Sequence, residues 1–309
     1  MRKRRETALH GRAGSTERAG VVFMLASAFF FSLMSLQVKI VSRLPLSEIV
    51  LARALVSLAI TAVALRRARI SPWGTRRRRL LQRGLLGFAG LVCFFAAIGR
   101  LPLTDATVIH YLNPILTAVF AAIALGEGLS RRHVAALALS FSGLILVARP
   151  SALFGSGSLP LVGVGLGVLG ATFAAAAYTT IRSLRDEPAL VVVFYFPLVT
   201  VPLCLPWAAM HFVLPTAAEC LLLIGIGVST QIAQVALTRG LKALPAGPAM
   251  NIAYTQILFV GLWQAIFFGV LPSGLALVGA ALVFAGTMIV TLGRTPGSGG
   301  LPSTPRQLP

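Results

Sequence analysis

A proline in the middle of an apolar run, with an amide just before it, is the first feature of this chain that points to chemistry. Pro114 has no N–H to offer the carbonyl of His110, so the run bends there and leaves His110, Tyr111 and Asn113 on or beside the break. The same residue types return downstream. Tyr254 and Gln256 repeat the spacing of Tyr111 and Asn113, and Gln231 and Gln234, three residues apart in the preceding run, share one helical face. Amides and phenols at mid-membrane depth are what a polar solute needs in exchange for its water. They are equally what neighbouring helices use to hold one another. Residue types alone leave both readings open.

Arg53 is the sharpest oddity. A cation about six residues inside an apolar run costs about 2.5–3.5 kcal/mol at the bilayer centre on insertion scales. Glu48 lies on the same run but points to a different side, so the sequence pairs Arg53 with Asp105, at the outer end of the fourth run. Arg53, Asp105 and Glu48 are therefore the candidates for gating or coupling, with a structural or snorkelling role for Arg53 as the alternative. None of the eight Asp and Glu residues sits in the middle of a run, where a proton relay would need one. His110 is the one histidine of four well inside a run, and Cys93, Cys204 and Cys220 lie in or at the ends of runs without metal-like spacing. There is no phosphate-cradling loop and no nucleophile beside a base. The sequence predicts no catalytic residue, no metal and no cofactor, hence a protein that is not an enzyme.

The elements that must position these residues are apolar. Of 309 residues, 57% are hydrophobic and 11% charged, which excludes an ordinary soluble chain. Ten apolar runs lie at about 20–38, 47–65, 80–99, 104–125, 132–148, 159–181, 189–210, 217–238, 246–269 and 274–292, each long enough to cross a hydrocarbon layer of about 30 Å. Without water to satisfy the backbone, each must be a helix. The net charge of +19 does not indicate nucleic acid, because Lys and Arg stand almost wholly between the runs and in the N-terminal tail. There they orient the chain and contact lipid headgroups.

Residues 101–150 and 244–293 align without a gap at an offset of 143, with 14 identities that include Tyr111/Tyr254, Gly126/Gly269, Ser130/Ser273 and Gly143/Gly286. Composition alone would give about five, so the chain is duplicated. With both termini cytoplasmic, the inside segments hold 22 Lys or Arg and the outside segments four. Five spans per copy is odd, so the second copy inserts upside down. The fold expected is an all-α integral membrane protein of ten transmembrane helices in two inverted five-helix repeats, the architecture transporters use to expose a midplane site alternately to each side. The boundaries are a cytoplasmic basic tail (1–19), a first repeat (20–150), a linker (151–158), a second repeat (159–293) and a disordered cytoplasmic tail (294–309). Most of the N-terminal tail is likewise expected to be disordered.

The stretches LPLTDATVIHYLNPILTAVFAAIALGEGLSRR, SFSGLILVARP and ALTRGLKALPAGPAMNIAYTQ resemble the drug/metabolite transporter superfamily, EamA type, over residues 20–293. That resemblance implies a ten-helix basket with a central cavity in the bacterial inner membrane, moving small metabolites such as amino acids, nucleotide sugars or drugs. Glu127 matches the Gly-Glu turn of that family, whereas the second copy has Val270 there and Ile257 in place of Pro114. The reading is a multi-pass carrier of a small-molecule substrate working by alternating access, its cavity bounded by the first, third, fourth, sixth, eighth and ninth runs. The alternatives are an exporter of lipid-like or amphipathic compounds and a non-transporting scaffold. Its partners are substrate and bilayer, with no nucleic acid, and either a monomer or a homodimer satisfies the sequence.

Overall fold

The computed structural model describes residues 2–154 and 159–292. Within them every regular element is a helix: α1 (Arg2–Ile40), α2 (Leu46–Arg67), α3 (Arg77–Ile98), α4 (Leu103–His110), α5 (Asn113–Leu125), α6 (Arg131–Ala148), α7 (Ser151–Phe154), α8 (Leu161–Ser183), α9 (Ala189–Met210), α10 (Ala217–Ala243), α11 (Ala246–Ala253), α12 (Gln256–Phe268) and α13 (Gly274–Leu292). Ten candidate membrane spans result among the described residues, with α4 and α5 forming the fourth and α11 and α12 the ninth.

One expectation needs correction. The N-terminal segment is helical from Arg2, continuous with the span that begins at Thr16. Its Arg, Glu and Ala residues favour helix, and no proline interrupts them before Gly20. The segment at 151–158 begins with the turn of helix α7, because Asp105 receives the backbone N–H groups of Ser151 (3.1 Å) and Ala152 (3.0 Å). Residues 155–158 and the tail 294–309 lie outside the described residues.

The 143-residue offset carries α2 onto α9, α4 onto α11 and α5 onto α12, end to end. The stop and start signals are duplicated with it. Pro45 and Pro188, like Pro102 and Pro245, precede helices where a missing N–H costs nothing. Gly126 and Gly269 both end their helices at φ 66°, a left-handed conformation that glycine adopts without penalty.

Packing follows the same two-fold logic. α1 packs on α10 as α3 packs on α8, α2 on α10 as α9 on α3, and α1 on α11 and α12 as α8 on α4 and α5, while α2 pairs with α9 and α6 with α13. Each repeat therefore completes the other. Because successive spans alternate in direction, the first spans of the two repeats, α1 and α8, run oppositely and the repeats are inverted. Small residues permit the closest crossing. A Cβ on Gly143 would sit 2.5 Å from the carbonyl oxygen of Gly279, and one on Gly286 would sit 2.8 Å from that of Ala136, the equivalent pair. Outward-facing Leu, Ile, Val and Phe, such as Ile123, Leu161, Leu221, Ile266 and Phe284, complete the apolar belt.

The helix break recurs in both repeats, although only the first has a proline. In the second, the N–H groups of Tyr254, Thr255, Ile257 and Leu258 bond three residues back, to Asn251, Ile252, Tyr254 and Thr255, and this tightened turn separates α11 from α12.

Candidate functional site

Where the two repeats meet, a narrow cleft of mixed lining is formed by Arg53, Ala54 and Ser57 of α2, Val193, Phe196 and Pro197 of α9, and Thr230, Gln231 and Gln234 of α10. Arg53 and Phe196 are equivalent positions of the two repeats, as are Ala54 and Pro197, so the cleft straddles the pseudo-two-fold relation. Gln231 is 4% exposed and donates through Nε2 to Thr61 Oγ1 at 2.7 Å. Thr61 Oγ1 in turn donates to the carbonyl oxygen of Ser57 at 2.7 Å. Gln234 accepts from Arg83 Nη2 at 3.2 Å, and the Arg83 guanidinium lies 5.1 Å from the centre of the Phe196 ring. Arg83 is 2% exposed. Among the described residues Arg83 Nε, Gln231 Oε1 and Thr230 Oγ1 are buried without a hydrogen-bond partner.

This arrangement relocates several expectations. The cleft is formed by the second, seventh and eighth spans, so two of its three walls lie outside the set of spans expected to bound it. Arg53 does not pair with Asp105. Its Nη1 points at Met34 Sδ (3.7 Å), whereas Asp105 accepts from Ser151 and Ala152 and anchors α7. The separation has a simple cause: Asp105 sits in the first turn of α4, where nearby N–H groups satisfy its carboxylate. Glu48 is buried at the start of α2 and accepts from the N–H of Val213 at 3.2 Å, joining the span 1–2 and 7–8 connections.

The residues at the helix break stand apart from the cleft lining. Asn113 Nδ2 donates 2.8 Å to the His110 carbonyl, the one that Pro114 leaves without its backbone donor. Tyr254 donates 2.9 Å to the Tyr111 carbonyl, and the two rings stack with centroids 6.1 Å apart. His110 packs 4.3 Å from the Phe94 ring. Gln256 is half-buried in the first turn of α12, a helix with no fully buried residue. The structure thus brings Arg53, Gln231 and Gln234 together and leaves His110, Tyr111, Asn113, Pro114, Tyr254 and Gln256 as a second, break-centred group.

A polar network lies at the membrane face carrying the 4–5, 6–7 and 8–9 connections. Glu127 Oε1 accepts from Arg182 and from Arg185 (2.9 Å), and its Oε2 accepts from the N–H of Ala246 at 2.8 Å. Arg182, 4% exposed, also donates to the carbonyls of Leu241 (2.6 Å) and Leu244. Glu187 accepts from Thr75 Oγ1 and from the N–H groups of Thr75 and Arg76 at the start of α3. At the opposite face Arg43 grips Glu219 through two bonds of 2.8 and 2.6 Å, and Lys39 lies 4.0 Å over the Phe268 ring.

Sequence reading placed Arg83 and Arg182 among loop cations, and both are buried. The signal for Arg83 was its position past Leu80 and Leu81 with Gly84 and Gly87 following, since small residues make room for a guanidinium. A Cβ on Gly87 would sit 2.7 Å from Arg83 Nη1.

The model of the EamA-like transporter family matches twice, over residues 18–149 and 161–292. The chain is 32% identical over 269 residues to the pseudopaline exporter CntI of Pseudomonas aeruginosa, covering 86% of this chain and 93% of that one. It is 28% identical to the probable transport protein YPL264C of Saccharomyces cerevisiae (88% of each chain) and 29% identical to human solute carrier family 35 member G1 (86% of this chain, 77% of that one). A crystal structure of 20% sequence identity superposes with a TM-score of 0.81 over 89% of this chain and 97% of its own, a likeness of fold. With two matched halves, inverted repeats and transporters among its relatives, this chain belongs to the EamA-like transporter family.

Proposed function

We propose that this small-metabolite transporter works by alternating access, with Arg53, Gln231 and Gln234 in the solute site and Arg83 behind it. What supports the reading is that two repeat-equivalent positions, Arg53 and Phe196, face one cleft where α2 and α9 cross. A solute bound there meets walls built from equivalent positions of both repeats, the place where an inverted-repeat transporter binds its substrate. The cleft is narrow, so α2, α9 and α10 must part for a solute to enter. The Glu127–Arg182 network joins the 4–5 turn to the ends of α8 and α10, and it serves as the gate on one side. The residues at the helix break, His110, Tyr111, Asn113, Pro114, Tyr254 and Gln256, act as the bending points of the fourth and ninth spans and line the path when it opens. The protein moves its solute without chemical change. It sits in a bacterial inner membrane with both termini in the cytoplasm, because the Lys and Arg bias persists when the buried Arg83 and Arg182 are set aside. Export is the preferred direction, by likeness to the relative named as an exporter.

Ser57→Cys, introduced with Cys93, Cys204 and Cys220 replaced by Ser, tests this in oriented vesicles. A membrane-impermeant thiol reagent is expected to reach it from each side in turn. Labelling from one side only, under every solute and ion gradient, would overturn alternating access.

A further inference from the structure

Two arginines border the cleft without an acid: Arg53 lines it, and Arg83 reaches Gln234 and Phe196 of its lining. Each guanidinium carries five N–H donors and a permanent charge. Of Arg53's donors one reaches Met34 Sδ at 3.7 Å, a weak acceptor. Arg83 has one bond, to Gln234, and its Nε has none. Among the described residues neither makes an ion pair: Glu127 holds Arg182, Asp186 Arg76 and Glu219 Arg43, Glu187 serves the start of α3, Asp105 serves α7, and Glu48, which accepts from Val213 through one oxygen and leaves the other buried and unmet, pairs with neither arginine. Gln234 and Phe196, which Arg83 reaches, line the cleft together with Arg53, so both guanidiniums border one region. Buried cations in a bilayer are retained where a partner or a passing ligand supplies the opposite charge.

From this we infer that the solute is a small organic anion: its carboxylate or similar oxyanion engages Arg53, with Arg83 adding charge from behind Gln234, while a donor on the solute meets Gln231 Oε1. The unpartnered acceptor Gln231 Oε1 and the hydroxyl of Thr230, both lining the cleft, account for that second requirement. A solute of this kind carries an acidic group and an N–H or O–H a few bonds away, as amino and hydroxy acids do. Apolar drugs and simple cations do not fit. The inference rests on the alternating-access reading for its location but not for its charge.

The full chain in lipid nanodiscs, titrated with glutamate, malate, citrate, choline and uridine while its unfolding temperature is followed, provides the test. The acids are expected to stabilise it and choline and uridine to have no effect. Arg53→Gln and Arg83→Gln should each weaken the acid response about 10- to 100-fold, the scale of one charged hydrogen bond. Arg83→Lys, which keeps the charge but loses the fork, should recover part of it. If Arg83→Gln does not yield a monodisperse protein, Arg53→Gln carries the test alone. Stabilisation by choline or uridine only, equal responses in wild type and variants, or no response to any acid would each overturn the inference. Solute-driven exchange of Ser57→Cys accessibility with choline or uridine would leave transport standing and remove the anion. Acid binding without exchange would do the reverse.

Discussion

Glu187 collects three bonds at the start of α3, from Thr75 Oγ1 at 2.5 Å and the N–H groups of Thr75 (2.7 Å) and Arg76 (2.6 Å). Burial pushes its carboxyl up, but these bonds to the charged form outweigh it and hold the group below the ordinary value of 4.5. A depressed carboxylate stabilises the fold at pH above its unfolded value and loses that contribution as pH falls through the folded one. Unfolding temperature should therefore fall as the medium is acidified below about 4.5, with the 2–3 and 6–7 connections loosening first. In Glu187→Gln the neutral-pH stability should be lower and this acid-sensitive part absent, as parallel thermal melts across pH would read out. Asn113 illustrates the other use of a polar residue in lipid. Its amide donor serves the carbonyl that Pro114 orphans, so the amide-proline pair is first a repair of the backbone, where an unmet carbonyl is costly.

At the scale of elements, glycine decides where helices touch. Gly143 and Gly279 lie so close that a Cβ on either would stand 2.5 Å from the other's carbonyl oxygen, with Val283 or Val147 at 2.9 Å behind it. Gly143→Leu should destabilise the α6–α13 crossing by about 1–3 kcal/mol, the usual cost of overpacking. Gly165→Ala, which meets nothing within 4 Å, should be neutral or slightly stabilising through helix propensity. Denaturant titration of both in detergent compares them; equal losses would mean the glycines answer only to backbone entropy. The sequence made the spans and the duplication legible because hydropathy and identities at a fixed offset survive without coordinates. The break at Asn113-Pro114 could be read for the same reason, since proline has one local effect. Its counterpart at Tyr254-Thr255 could not, because the tightened turn there uses ordinary residues and the Tyr254 bond to Tyr111, 143 positions away. The cleft was only half legible. Arg53, Gln231 and Gln234 stood out as polar residues in apolar runs, but Arg83 follows a run of loop arginines, and it is buried where α8 and α9 pack on α3 and Gln234 of α10 reaches its guanidinium.

For the whole molecule, the two faces carry different chemistry at equivalent places. The ends of α8 and α1 are equivalent, and so are the turns after α5 and α12. Where the end of α8 meets the turn after α5, Arg182 holds Glu127, with Arg185 and the N–H of Ala246 on the same carboxylate. Where the end of α1 meets the turn after α12, Val270 replaces the acid and Lys39 rests on Phe268 instead. A desolvated, hydrogen-bonded ion pair resists opening more than a cation over a ring does, so the resting population should favour closure on the Glu127 side. Glu127→Gln removes the charge while keeping an acceptor, and it should weaken that closure by about 1–3 kcal/mol, the usual range of coupling energies. Read through Ser57→Cys, labelling from the Glu127 side should then rise by about 10-fold or more while labelling from the Glu219 side falls. Exchanging the charges, Glu127→Arg with Arg182→Glu, should recover part of the original preference if the pair itself is the lock. A Glu127→Gln variant with unchanged labelling from both sides would instead make this network a brace for the helix ends, with the gate elsewhere along the cleft.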